Sequence, residues 1–281
     1  MPARSRRSPS TWSRSTAGTR CTPASGSPTS ELRDDRGTLW AAPSPRRVVS
    51  LVPSLTEAIA ATDPSVLVGA TDWCTHPAGL DVPRVGGTRW PDVARVVDLA
   101  PDLVVANAEE NRDEDVAALR AAGIRVWMTA PATVDQALDS LGRLCAVLGA
   151  PDASWLRHAR AVWADPPSVP TVRAVVPIWR RPWMVLGRDT FAGDVLARLG
   201  VRNVFATSSE RYPRLPRDAP AAVEADLVVF PDEPYAFTAD DGPEAWPRCR
   251  PVFVSGRHLT WYGPSLAEAP AVLVAGLTDR S

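Results

Sequence analysis

Cys74 and His76 stand two positions apart in the stretch Thr71-Asp72-Trp73-Cys74-Thr75-His76-Pro77. A thiolate beside an imidazole suits Zn, Fe, or the metal of a corrinoid or haem. Two donors do not complete a site, so a third is expected from Asp72, Glu109, Glu110 or, in the second half of the chain, His258. Cys74, His76 and His258 are the candidate metal ligands. A second constellation is aromatic. Trp73 and Trp90 in the first half, and Trp179, Trp183, Tyr235, Trp261 and Tyr262 in the second, follow apolar runs that read as strands, with Glu233 among them. Aromatic walls with a few convergent polar groups describe a cleft for a large, flat, partly apolar ligand. The sequence carries no GxSxG, HExxH or phosphate-loop motif, and no GxGxxG follows the first strand.

The elements that must position these residues alternate. Val48 to Val52 is too apolar for a half-exposed strand and reads as an inner strand of a parallel sheet. Pro53 and Ser54 follow it, where ligands of such sheets sit. Ser54 with Glu57 three residues on reads as a capping box for a helix over Leu55 to Ala61. Strands follow at Val66 to Gly69, Leu103 to Ala106 and Ile124 to Met128. One helix between them starts near Pro91 and turns Val93, Val96 and Val97 inward; another is closed by Gly123. Thr133 to Leu148 has a clean helical period, and Asp152 is expected to cap a further helix to about Trp163. The alternation then restarts, with strands over Val172 to Ile178, Leu227 to Phe230 and Pro251 to Ser255. Helices are expected over Thr190 to Leu199 and Ser265 to Leu277. The fold class is α/β, with two lobes built on parallel central sheets and bridged by a helix. The lobes span 31–131 and 168–281, the bridge 132–167, and residues 1–30 read as a disordered basic tail.

Charge narrows the partners. With 31 Lys+Arg against 32 Asp+Glu the net charge is -1, which gives no field for nucleic acid or anionic lipid. No run is long and apolar enough for membrane insertion. Cys21, Cys74, Cys145 and Cys249 show neither a disulfide framework nor a paired metal knuckle. There are 11 Trp against 3 Tyr and 5 Phe, an excess that favours the aromatic cleft.

The stretch Arg47-Val48-Val49-Ser50-Leu51-Val52-Pro53-Ser54-Leu55-Thr56-Glu57, the Cys74 to Pro77 loop, Val85-Gly86-Gly87-Thr88 and Leu99 to Ala106 carry a resemblance. So do Ile178 to Trp183, Gly187 to Phe191, Pro231 to Phe237 and Trp261-Tyr262-Gly263. Over about residues 31–278 the chain resembles the helical-backbone metal-receptor superfamily of substrate-binding proteins (class III), particularly the vitamin B12-binding proteins of ABC importers. That resemblance implies a non-enzymatic receptor that holds a tetrapyrrole-type ligand, cobalamin ahead of haem, between the lobes. Pro53, Ser54, Trp73 to Pro77 and Trp90 would form one wall, and Trp179, Trp183 and the 257–262 loop the other. An ABC transporter permease is the implied partner, docked through Glu57 on the first lobe and Asp218 on the second. The bridging helix from Asp152 to about Ala164 is short for this family, roughly 20 Å, so the preceding helix is expected to share its task.

Two alternatives stay open. One is a receptor for haem, a bare metal ion or an iron chelate, with Cys74, His76, His258 and the Glu109-Glu110 pair as the ligand set. The other is an enzyme on the same fold, with Cys74 or His258 acting on a bound haem or corrin. No signal segment is recognisable before the domain, so a cytoplasmic location is expected of the sequence as it stands, an extracytoplasmic one only with a different start.

Overall fold

The computed structural model describes residues 32–279, and the expected tail over 1–30, with Cys21, lies outside them. In chain order the first elements are β1 (Val48–Ser50), α1 (Pro53–Thr62), β2 (Leu67–Ala70), α2 (Val93–Asp98), β3 (Leu103–Asn107), α3 (Asp113–Ala121) and β4 (Val126–Thr129). Two helices follow, α4 (Val134–Val147) and α5 (Ser154–Ala164). The second half holds β5 (Val172–Val175), β6 (Pro177–Arg180), β7 (Trp183–Val185), α6 (Phe191–Arg198), β8 (Val201–Asn203) and β9 (Arg214–Leu215). It ends with β10 (Leu227–Pro231), β11 (Arg250–Val254), α7 (Gly256–Thr260) and α8 (Ala269–Thr278).

Each half contains a four-stranded parallel sheet, in order β2-β1-β3-β4 and β11-β10-β5-β8. Val48, Val49 and Leu103 to Ala106 are fully buried, as strands covered on both faces must be. Two α/β lobes with parallel sheets are therefore present. The sequence pattern did not foresee a third, antiparallel sheet, β6-β7-β9. The single strand expected over Val172 to Ile178 divides because Pro177 brings no N–H to a ladder. Beyond Val175 the chain leaves the parallel sheet and folds back as a hairpin, and Leu186 N donates to Val176 O (2.8 Å).

Several local expectations change for identifiable reasons. Pro53, not Leu55, opens α1, since its fixed φ suits the first helical turn. Val52 is then the cap, Ser54 falls inside the first turn, and the Ser54–Glu57 capping box does not form. Ala153, not Asp152, precedes α5, without a side-chain cap. Pro91 lies outside α2, which Asp92 caps through Arg95 N (3.0 Å); Val96 is buried but Val97 faces solvent. The closing helix is interrupted. A 3₁₀ turn at Pro264–Ala267 precedes α8, which restarts with Pro270 in its first turn, where a missing N–H costs nothing. Gly123 and Gly149 end α3 and α4 at φ +82, as expected.

The lobes share one apolar core. A single cluster runs from Leu55 and Ile59 of α1 through Leu141 and Leu144 of α4 and Leu156 and Trp163 of α5 to Leu196 of α6 and Leu273 of α8. Both α4 and α5 thus contribute to the bridge. α4 packs on α1 and on α6. Asp135 and Asp194 share Arg198, and Asp194 also accepts from Val134 N (2.8 Å). Trp163 ties α5 to the second lobe by donating to Leu266 O (2.9 Å).

Candidate functional site

A cleft of about 720 Å³ opens between the lobes, where the strands of both parallel sheets end. From the first lobe it receives Pro53 and Ser54 after β1, Trp73 after β2, Gly87 to Trp90 before α2, and Asn107, Glu109 and Glu110 at the end of β3. Buried polar contacts hold these loops. Arg84 Nη1 donates to Thr71 O and Cys74 O (both 3.0 Å), and its Nη2 to Leu80 O (3.0 Å). Asn111 donates to Thr88 O (2.8 Å) and accepts from Asn107 N (2.8 Å). Asn107 Oδ1 in turn accepts from Glu109 N (2.7 Å) and Glu110 N (3.2 Å), a local turn that presents two consecutive carboxylates. Trp90 stands under the Arg112 guanidinium, 3.9 Å from its ring centre, and Arg112 is held by Asp115 (2.7 Å).

The opposite wall is mostly apolar. Val176, Ile178, Met184 and Leu186 come from β5 to β7 and the turns beside them, Phe191 and Ala192 from the start of α6, and Leu259 to Tyr262 from α7 and its exit. Glu233 follows β10 and is pressed against α7: a Cβ on Gly256 would fall 2.3 Å from its Cγ. Tyr262 forms part of the floor; its hydroxyl receives Asn107 Nδ2 (2.5 Å) and meets Thr129 Oγ1 (2.9 Å). Tyr212 reaches across to Glu109, its hydroxyl donating to Oε2 (2.6 Å), and Arg211 pairs with the same carboxylate.

The carboxyls at this cleft are electrostatically strained. Burial, reinforced by the nearby charges of Glu109 and Glu233, pushes Glu110 up to about 7. Burial and Asp232 raise Glu233. Burial above all, then the bond to Glu109, raises the Tyr212 hydroxyl.

Of the residues singled out in the sequence, Pro53, Ser54, Trp73, Trp90, Glu233, Trp261 and Tyr262 line the cleft. The others lie elsewhere. Cys74 is an anchor behind the loop, receiving Thr56 Oγ1 (3.0 Å) beside Thr71 Oγ1 (3.1 Å), and burial pushes its thiol up. His76 meets Trp261 edge to face at 5.4 Å, outside the lining. His258 Nδ1 is 2.8 Å from Ser255 Oγ, and Nε2 is 3.5 Å from Glu268. The structure does not bring Cys74, His76 and His258 together. Among the described residues no group of three or more His, Cys, Asp or Glu is placed to hold a metal ion.

Trp179, Trp183 and Tyr235 also fall outside the lining. Ile178 and Met184 line the cleft and Trp179 and Trp183 do not: Trp183, opposite Arg180, alternates away from Met184, and a register irregularity between Pro177 and Trp179 breaks the alternation at Ile178. Trp179 then meets Tyr235 edge to face at 5.5 Å, Tyr235 donates to Asp241 (2.6 Å), and Trp183 packs in the core against Phe237 and Trp246. Glu57, expected with Asp218 to dock a permease, is buried and ion-paired to Arg257 of the other lobe, whereas Asp218 is exposed. Sequence reasoning missed Tyr212 and the aliphatic wall. The alternation of Pro177-Ile178-Trp179-Arg180 and Trp183-Met184-Val185 about Arg181-Pro182 was a hairpin signal that could have found Ile178 and Met184.

A family model described as periplasmic binding protein matches residues 48–244. The vitamin B12-binding protein of Salmonella typhi is 27% identical over 198 residues, covering 68% of this chain and 73% of that protein. The crystal structure of the periplasmic vitamin B12 binding protein of Vibrio cholerae superposes with TM-score 0.67 at 18% identity, covering 84% of this chain and 98% of that one, a likeness of fold. A periplasmic heme binding protein from Pseudomonas aeruginosa gives 0.63 at 26% identity, covering 82% and 92%. The family match overturns the expectation of a cytoplasmic location and points to an extracytoplasmic one. Among the described residues no helix is long and apolar enough to cross a membrane.

Proposed function

Because this chain belongs to the periplasmic-binding-protein family, in its class III, helical-backbone branch, we propose that it is a cobalamin receptor that delivers to an ABC transporter permease. The family is a non-catalytic, transport-associated class that binds large planar or chelate ligands. The observation that carries the finer reading is the asymmetry of the cleft: Trp73 and Trp90 line its first-lobe side, and Ile178, Met184 and Leu186, with Trp261, line the other. A corrin is large, flat and apolar on its faces, and such walls bury it by stacking and dispersion.

Cobalamin ranks ahead of haem for a chemical reason. Among the described residues the lining holds no His or Cys, and both its tyrosine hydroxyls are engaged, Tyr212 by Glu109 and Tyr262 by Asn107 and Thr129. A haem iron would find there only the Met184 thioether as a free soft axial donor, whereas cobalamin carries its own nitrogen donor. On the permease side, Asp218 is the exposed carboxylate of the expected pair, and Glu57 serves the lobe-to-lobe contact instead.

Titration of the purified protein with cyanocobalamin and, separately, with haemin tests this, read by tryptophan fluorescence and visible absorption. The expected result is saturable one-to-one uptake of the corrin, weakened in Trp261→Ala. Saturable haem binding with a shifted Soret band and no corrin uptake would replace the cobalamin reading by the haem one.

A further inference from the structure

Resting on the cobalamin reading, we propose that Glu110 and Glu233, on opposite walls of the cleft, select corrinoids whose rim carries amide groups and reject those whose rim carries carboxylates. The charged side chains of the lining are Arg89, Glu109, Glu110 and Glu233. Arg89 is exposed, and Glu109 is occupied by Arg211 and Tyr212. Glu110 and Glu233 remain. Among the described residues no protein group donates to the half-buried Glu110 carboxyl or pairs with it; Glu233 is hydrogen-bonded by the Trp261 side chain and feels the charge of Arg257, yet its Oε1 is buried without a partner. Ser54 gives an independent sign in the same lining: it is 3% exposed, yet its hydroxyl has no hydrogen-bond partner.

A buried acceptor without a donor, as Glu233 Oε1 is, is costly to leave unmade; its missing donor, and one for the unpaired Glu110 carboxyl across the cleft, must come from what enters the cleft. An amide N–H supplies one without bringing charge, and its carbonyl can take the Ser54 hydroxyl proton. A carboxylate at the same place supplies no donor and sets like charges side by side in a site shielded from water. The aliphatic wall does not distinguish the two ligands, since their ring faces are the same. Discrimination therefore falls on the two glutamates.

Cobinamide and cobyrinic acid share the corrin ring and differ in amide against carboxyl groups around it. Fluorescence titration of the wild-type protein at pH 7.5 with the dicyano form of each is expected to favour cobinamide by at least about tenfold. In Glu110→Gln/Glu233→Gln the ratio is expected to shrink toward one, because glutamine carries no charge to repel a carboxylate. Thermal melts check that the variant is folded, and the wild-type ratio stands without it. Equal affinities in the wild type, or an unchanged ratio in a folded double variant, would overturn the selectivity while leaving a corrinoid receptor. Failure of both corrinoids and of cyanocobalamin to bind would overturn the receptor reading, and the selectivity with it.

Discussion

In the first lobe Trp73 and Trp90 are 67% and 66% exposed and stand in the lining of the cleft, whereas in the second Trp183 and Trp246 are 6% and 1% exposed and interlock at 5.5 Å, edge to face. The contrast follows from what covers each sheet. In the first lobe Val49, Leu51, Val104 and Met128 pack with Val96 of α2 and with Val116 and Leu119 of α3, a core cluster without indoles, while Trp127 of β4 is buried in the shared core instead. The corresponding face of the second sheet has the antiparallel ribbon and the irregular segment 232–249 over it, in place of helices. Large rings fill that gap: Trp183, Phe230, Phe237 and Trp246 form one cluster with Val175, Val185 and Val228. Irregular backbone packs its own surface poorly, and rings of this size bury much apolar area per residue. The same residue type thus offers surface to the cleft at Trp73 and Trp90, as Trp261 does from the second lobe, and fills a core at Trp183 and Trp246.

The sharpest way to break this contrast is Trp246→Ala. Its ring is enclosed by Trp183 and neighbours, so removal is expected to cost about 3–5 kcal/mol through lost burial and a residual cavity. Denaturant melts would show this as a fall in midpoint with little change in slope. A loss below about 1 kcal/mol would mean that the segment 232–249 does not depend on the aromatic cluster. Trp73→Ala is the counterpart. Its stability change is expected within about 0.5 kcal/mol, as for exposed positions. Corrinoid affinity should fall by roughly fivefold, about 1 kcal/mol of lost stacking. Unchanged affinity in that variant would remove Trp73 from the ligand wall.

How far each region could be read from sequence follows the same division. The first lobe is made of runs such as Leu103 to Ala106 whose burial on both faces is written in their composition, and the residues after them, Pro53, Ser54 and Trp73, reach the cleft as the strand ends require. The second lobe departs at Pro177, where one residue without an N–H converts the end of an expected strand into a hairpin, and the irregular register beside it brings Ile178 rather than Trp179 into the lining. Tyr212 lies in a stretch with no periodicity, between β8 and β9, and its place opposite Glu109 depends on lobe packing that no local pattern encodes. Cys74 and His76 had spacing fit for a metal, but the hydroxyls of Thr56 and Thr71 turn the thiol inward while His76 packs on Trp261.

The smallest expected effect tests whether the two walls sense each other across the cleft. Glu110 of the first lobe is pushed up to about 7 chiefly by burial, and further by Glu109 beside it and Glu233 opposite. A carboxyl raised on folding holds a proton that the unfolded chain has already released between the ordinary carboxylate range and neutrality. In that window the native state binds more protons, so this group's contribution to stability falls as pH rises and is recovered on acidification. The unliganded protein should gain stability from this group as pH is lowered from about 7 toward 5. Glu110→Gln should flatten that part of the profile, and Glu233→Gln should reduce its slope in part, because the raised Glu233 carboxyl itself is gone and with it one of the charges that raises Glu110. Denaturation midpoints at half-unit pH steps would resolve the difference. A Glu233→Gln profile identical to wild type would show that the walls do not interact across the empty cleft, and that burial with Glu109 alone sets the proton on Glu110.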